Sequence, residues 1–163
     1  MRLWLVAAFC SVVGIAQADT LSGRVVAVHD GDTITVLDTN RTQHKIRLAG
    51  IDAPELGQAF GNPSKQNLSK WVYNRQVIVD WNKHDRYGRT VGVVLVYGHD
   101  VNLEQIRAGL AWWYRQYAKE QTPDDRQLYE RAENEARAAK RGLWADAHPV
   151  PPWEFRRQGR NAR

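Results

Sequence analysis

The sequence predicts an α+β fold, a five-stranded Greek-key β-barrel carrying three packed helices, and three observations lead there. Short segments rich in β-branched residues, several alternating in the strand period, run from Leu21 to Tyr97. Helical spacing interrupts them once, around Leu68, and then takes over the remainder of the chain. Apolar residues make up 43% and aromatic residues 10% of the 163, enough for one cored domain and too much for a disordered or fibrous chain. A ferredoxin-like sandwich is the competing arrangement.

Before these elements lies a segment that should not belong to the folded protein. Met1 and Arg2 form a positive start, residues 3–15 are an apolar run, and Ala16-Gln17-Ala18 supplies small residues where a signal peptidase reads them. The run is shorter than the ~20 residues a bilayer span needs. Cleavage after Ala18 is expected, giving a chain that begins at Asp19 and works in the periplasm or outside the cell. A protein held at a membrane surface by an uncleaved leader is the alternative.

Residues 21–28 read as the first strand, with Asp30-Gly31-Asp32 as a turn, residues 33–37 as the second and residues 43–49 as the third. Asn62-Pro63 looks like a cap and first-turn proline, with Leu68, Trp71 and Val72 as the apolar stripe of helix one. Residues 77–81 and 90–97 are the remaining strands. Asn102 and Gln105 resemble a capping box for the second helix, which ends at Gly109. Thr122-Pro123-Asp124-Asp125 opens the third, with Leu128, Ala132, Ala136 and Ala139 on one face and Gly142 as its stop. This order of strands and helices is that of a small barrel of the oligonucleotide-binding type with helices packed on it. Residues 156–163 are read as a basic flexible tail beyond the single domain of residues 19–155.

The chain carries 23 Lys plus Arg against 18 Asp plus Glu, a formal net charge of +5. Removing Arg2 with the leader takes away one, and the rest is matched by Arg156, Arg157, Arg160 and Arg163, so residues 19–155 are formally neutral. Overall charge therefore identifies no partner. With Cys10 the one cysteine, and in the leader, no intrachain disulfide, thiolate metal site or thiol nucleophile is available.

Chemistry concentrates in three stretches: residues 30–33, 47–55 and 85–89. Asp32 and Asp52 offer hard carboxylate oxygens from two different turns, which suit Ca²⁺ or Mg²⁺, and the five histidines show no metal-ligand spacing. Pro54 fixes the backbone between Asp52 and Glu55, so Glu55 can sit beside a cation yet remain free to act as a base. Arg47 lies in a strand and Arg89 after a Tyr-Gly turn; two permanently charged guanidinium forks make a phosphate clamp. Two arginines, two metal carboxylates and one free glutamate form a phosphoryl-transfer set: a cation to polarise the phosphoryl oxygen, a base for water, and charge to stabilise the crowded phosphorus. Taken singly, each of these stretches would be an ordinary turn or a half-buried strand arginine.

Together, and in this order, they resemble the staphylococcal nuclease (thermonuclease) family, in particular its secreted Gram-negative members. The resemblance covers residues 21–155: Val28-His29-Asp30-Gly31-Asp32-Thr33, Arg47-Leu48-Ala49-Gly50-Ile51-Asp52-Ala53-Pro54-Glu55, Gly57-Gln58-Ala59-Phe60-Gly61, Asp85-Arg86-Tyr87-Gly88-Arg89, Gly109-Leu110-Ala111-Trp112, Arg141-Gly142-Leu143-Trp144 and Pro151-Pro152-Trp153-Glu154. It implies a Ca²⁺-dependent, sugar-nonspecific endonuclease that acts on DNA and RNA and leaves 3′-phosphates. Asp32, Asp52 and the main-chain carbonyl of Ala53 are then the calcium ligands, Glu55 the general base, and Arg47 and Arg89 the phosphate clamp. The family's type enzyme has Thr in place of Ala53, a change that leaves the backbone oxygen available. Arg86 and Tyr87 match contacts to a second phosphate, and Tyr114 and Tyr117 match positions that stack a base. One of the adjacent Trp112 and Trp113 should face the core, leaving the other to extend that platform. A monomer with no lasting membrane association is expected. The alternative function is a noncatalytic nucleic-acid-binding module that kept the barrel and lost the chemistry.

Overall fold

A computed structural model describes residues 19–161; the segment expected as a leader, residues 1–18, and the last two residues of the expected tail lie outside them. Five long strands account for the barrel: β1 (Asp19–Val28), β2 (Thr33–Asp38), β3 (Gln43–Leu48), β5 (Gln76–His84) and β6 (Thr90–Val96), with the two-residue β4 (Ile51–Asp52) between β3 and helix α1 (Gly61–Val72). Antiparallel pairing runs β3-β2-β1-β5-β6. A parallel pairing of β3 with β6, Ile46 opposite Thr90 and Leu48 opposite Gly92, closes the cylinder and abolishes its free edges. Alternation decides the lining: β6 buries every second residue from Thr90 to Val96. Val25, Ile34, Val36, Ile46, Leu48, Val79, Val94 and Val96 form a continuous apolar core with Leu68 and Val72 of α1.

Beyond β6, the short β7 (His99–Asp100) leads into α2 (Val101–Arg107), then β8 (Trp112–Trp113), a 3₁₀ turn (Arg115–Glu120), α3 (Pro123–Ala138), a second 3₁₀ turn (Gly142–Ala145) and α4 (Pro152–Asn161). Strand β8 pairs antiparallel with β4, placing Trp113 opposite Ile51 and Trp112 opposite Asp52. No helix among the described residues is long and apolar enough to cross a membrane.

Several local readings are corrected by tertiary contacts. Helix α1 begins at Gly61, one residue before Asn62, and Asn62 is not its cap. Phe60 takes a left-handed turn, and Gly61 packs so closely on the Glu55 carbonyl that a side chain there would collide with it. Asp100, rather than Asn102, caps α2, its carboxylate accepting from the Leu103 N–H at 3.0 Å. Asn102 and Gln105 are instead fully buried. Asn102 accepts from the Val94 N–H and donates to the carbonyls of Ala49 and Gly92, pinning α2 across the β3–β6 closure. Thr122 caps α3 as expected, but its buried face is Tyr129, Ala132, Glu133 and Ala136, with Leu128 exposed. Both tryptophans of β8 are buried: Trp113 enters the barrel core, while Trp112 packs in a second cluster on Trp144 and Trp153. They do point opposite ways, but the chain covers both faces of β8. Residues 156–161, expected as a flexible tail, continue helix α4, because Trp153 and Arg156 find partners on the body of the protein.

Candidate active site

The turn from β1 to β2 and the passage from β3 into β4 meet at one end of the barrel. Gly31 allows that meeting: a Cβ there would strike Ser64 of α1 and Ala53. The turn is held from beneath by Gln105, whose Nε2 donates to the Gly31 carbonyl at 2.7 Å and to the Ser64 carbonyl at 3.1 Å. Asp32 thereby comes against the start of the next loop, where its Oδ2 accepts from the Ala53 N–H at 2.7 Å.

Arg47 binds the two aspartates together. Its Nη2 lies 2.9 Å from Asp52 Oδ1 and forms an ion pair with Asp32 Oδ2 at 3.2 Å, while Nη1 donates to the Leu48 carbonyl. Asp32 and Asp52 are both almost fully buried. Burial pushes the Asp32 carboxyl above its ordinary value; Arg47 opposes this and neighbouring Asp30 adds to it. Burial likewise raises Asp52, against hydrogen bonding from Arg156 and the charge of Arg47 and in concert with Asp32. Two desolvated carboxylates thus share one small volume with the guanidinium groups of Arg47 and Arg156.

Glu55 sits at the rim, with its side chain 38% exposed, and Arg156 from α4 reaches it at 2.7 Å. The same guanidinium grips Asp52, with Nη2 2.7 Å from Oδ2 and Nη1 3.2 Å from Oδ1. Arg89 stands across the groove and touches none of these acids: its Nε donates to Asp85 Oδ2 at 2.6 Å. Asp85 is held below the ordinary carboxylate range because its bonds from Arg89 and from the Tyr87 and Arg89 amides outweigh the opposing effect of burial. Arg86 and Arg89 both lie over the exposed Tyr87 ring. Tyr114 and Tyr117 meet edge to face at 5.0 Å, and Lys83 lies over Tyr117.

All the residues singled out in the sequence line this one open groove: Asp32, Arg47, Asp52, Ala53, Glu55, Arg86, Tyr87, Arg89, Tyr114 and Tyr117. Arg156 and Trp153 also line it and were not expected there. Trp153, rather than Trp112 or Trp113, is the tryptophan that joins Tyr114, stacked on it at 5.4 Å with planes 9° apart. A helical signal was available for both: Pro152 suits a first turn, Glu154 suits the positive helix end, and Trp153, Arg156 and Arg160 recur at helical spacing.

The donor set is of the hard-oxygen kind. Among the described residues no group of three or more His, Cys, Asp or Glu converges as a metal cage. The two aspartates, with a backbone carbonyl, fit an ion that takes many oxygen ligands and completes its shell from water or substrate.

Residues 45–146 match the family model described as staphylococcal nuclease homologue. A micrococcal nuclease from Shigella flexneri is 42% identical, the alignment covering 96% of this chain and 92% of that one. An uncharacterized endonuclease from Haemophilus influenzae is 44% identical, over 91% of this chain and 80% of that one. The chain belongs to the staphylococcal nuclease family. Its barrel is the oligonucleotide-binding-type barrel of that family, five strands closed by the β3–β6 pairing. In this staphylococcal nuclease family member Asp32, Asp52, Glu55, Arg47 and Arg89 all line the one groove.

Proposed function

We propose that this chain is an endonuclease that hydrolyses phosphodiester bonds of DNA and RNA with little sequence preference, depends on Ca²⁺, and leaves 3′-phosphate and 5′-hydroxyl ends. The observation that carries this reading is the convergence of buried Asp32 and Asp52 with rim-exposed Glu55, in a groove that also holds Arg47 and Arg89.

Asp32, Asp52 and the carbonyl of Ala53 would hold the ion, which when bound supplies positive charge to a phosphoryl oxygen. Arg47 orients the aspartates and brings a guanidinium beside them. Glu55 takes a proton from water as its oxygen bonds to phosphorus. The bond from phosphorus to the 5′ oxygen breaks, and that oxygen takes a proton from solvent water and leaves as a hydroxyl. Arg89, held by Asp85, presents its fork to the charge that accumulates on the phosphoryl oxygens. Tyr87, Tyr114 and Tyr117 offer faces for bases, and such stacking tolerates any sequence. The leader of residues 1–18 directs the chain out of the cytoplasm, and the mature enzyme works as a monomer in the periplasm or outside the cell.

The decisive experiment incubates single-stranded DNA and RNA with the purified protein, in Ca²⁺ or in excess chelator, and analyses the product ends. Internal cuts with 3′-phosphates in Ca²⁺ and none in chelator are expected. Absence of cleavage in Ca²⁺ between pH 7 and 10 overturns the enzymatic reading in favour of a binding module.

A further inference from the structure

We infer that helix α4 is a latch on this site, with Arg156 acting as an internal counter-cation that a divalent ion must displace. The inference rests on the calcium-site reading above and adds to it a competitor built into the chain.

Arg156 engages both oxygens of Asp52 and one oxygen of Glu55, and Asp52 Oδ1 accepts from Arg47 as well. An ion bound directly to Asp52 would lie against this guanidinium and be repelled by it. Glu55 is similarly engaged: its Oε1 accepts from Arg156 Nη1 at 2.7 Å, so the guanidinium occupies an oxygen that a water would have to reach. Both carboxylates can work only after Arg156 withdraws. The charges favour that exchange. Three carboxylates facing Arg47 and Arg156 keep one negative charge in excess, whereas Arg47 with a doubly charged ion balances them.

The remaining contacts suit a latch more than a permanent wall. Trp153 lies on Tyr114 and edge-on to Trp112, and Pro152 is buried, but Arg157, Gln158, Gly159 and Arg160 are exposed. While α4 is docked, Trp153 also covers a face of Tyr114, so one movement would uncover both the carboxylates and the aromatic platform.

The test compares the full chain with Arg156→Ala and, as a charge control, Arg157→Ala, at a residue whose side chain is 64% exposed and, among the described residues, pairs with Glu154 alone, at 4.0 Å. Calcium affinity is measured by calorimetry, and trypsin cleavage after Arg157 is followed with and without Ca²⁺. If the latched form dominates, removing Arg156 tightens Ca²⁺ binding about tenfold or more. Arg157→Ala should leave the affinity near the parent's, and Ca²⁺ should accelerate tryptic cleavage of α4 in the parent. Unchanged or weaker Ca²⁺ binding in Arg156→Ala overturns the latch and leaves the calcium site standing, as does equal tightening by Arg157→Ala. Failure of all three proteins to bind Ca²⁺ overturns the calcium site and the latch together.

Discussion

Two buried acidic centres lie on either side of the β4–β8 ladder, and they are built differently. Glu133 of α3, its side chain fully buried, accepts from the Trp113 N–H at 3.1 Å through Oε1. Its Oε2 lies 2.7 Å from Arg115 Nη1, at an angle that makes an ion pair rather than a hydrogen bond, and 3.6 Å from Arg137. Those guanidinium groups in turn lie over indoles, Arg115 over Trp113 and Arg137 over Trp144. One carboxylate facing two arginines needs nothing from outside. The groove sets Asp32, Asp52 and Glu55 against Arg47 and Arg156, and both aspartates are raised by burial. Burial alone does not separate a structural acid from a functional one. The local charge balance and an opening to solvent do.

The strongest test of that contrast is Glu55→Gln, which removes the base but keeps the shape; it should cost about 10²- to 10⁴-fold in DNA cleavage with Ca²⁺ affinity undiminished. Full activity in this variant would assign the proton transfer elsewhere. Arg89→Lys should follow, with about a 10²- to 10³-fold loss in turnover and little change in melting temperature. The two Nη groups of Arg89 have no hydrogen-bonding partner among the described residues, and a lysine cannot supply their fork while also reaching Asp85. Glu133→Gln should behave oppositely, losing about 1–3 kcal/mol of stability in urea unfolding while activity per folded molecule is retained. Lost turnover at unchanged stability would erase the distinction between the two centres.

The smallest effect expected is a gain. In chelator at neutral pH, Asp32→Asn should melt above the parent, because it no longer buries a charge beside Asp52, and it should lose the stabilisation that Ca²⁺ confers. A carboxyl raised in the folded state adds stability below its ordinary value of 3.8 and loses it as pH climbs through the raised one. The advantage of the variant should therefore grow as pH rises through that window and vanish towards pH 3.8. Thermal unfolding at several pH values, in chelator, checks this.

The groove residues were legible because their types are unusual for their local setting: acids at tight turns, an arginine inside a strand, a glutamate after a rigid proline. Arg156 was not, since an arginine-rich segment after the last predicted element reads as solvated, and its acceptors lie 101 and 104 residues back in sequence. Glu133 escaped for a related reason: on a helix with other acids, nothing local says which one will be covered by β8. Asn102 and Gln105 fit a capping pattern, yet they serve as buried fasteners: Asn102 donates to the carbonyls of Ala49 and Gly92 at the barrel seam, and Gln105 to those of Gly31 and Ser64.

The sequence by itself determined the five long strands and helices α1 to α3, and it offered two hard carboxylates, a glutamate and two guanidinium forks that meet in one groove. These follow from periodicity, turn chemistry and functional-group identity, all of which are local. Only the tertiary structure decided that β3 closes on β6, that both faces of β8 are covered, and that Arg156 returns to Asp52 and Glu55. Each of these depends on which distant surface a segment meets, and desolvation and charge pairing are set by that meeting.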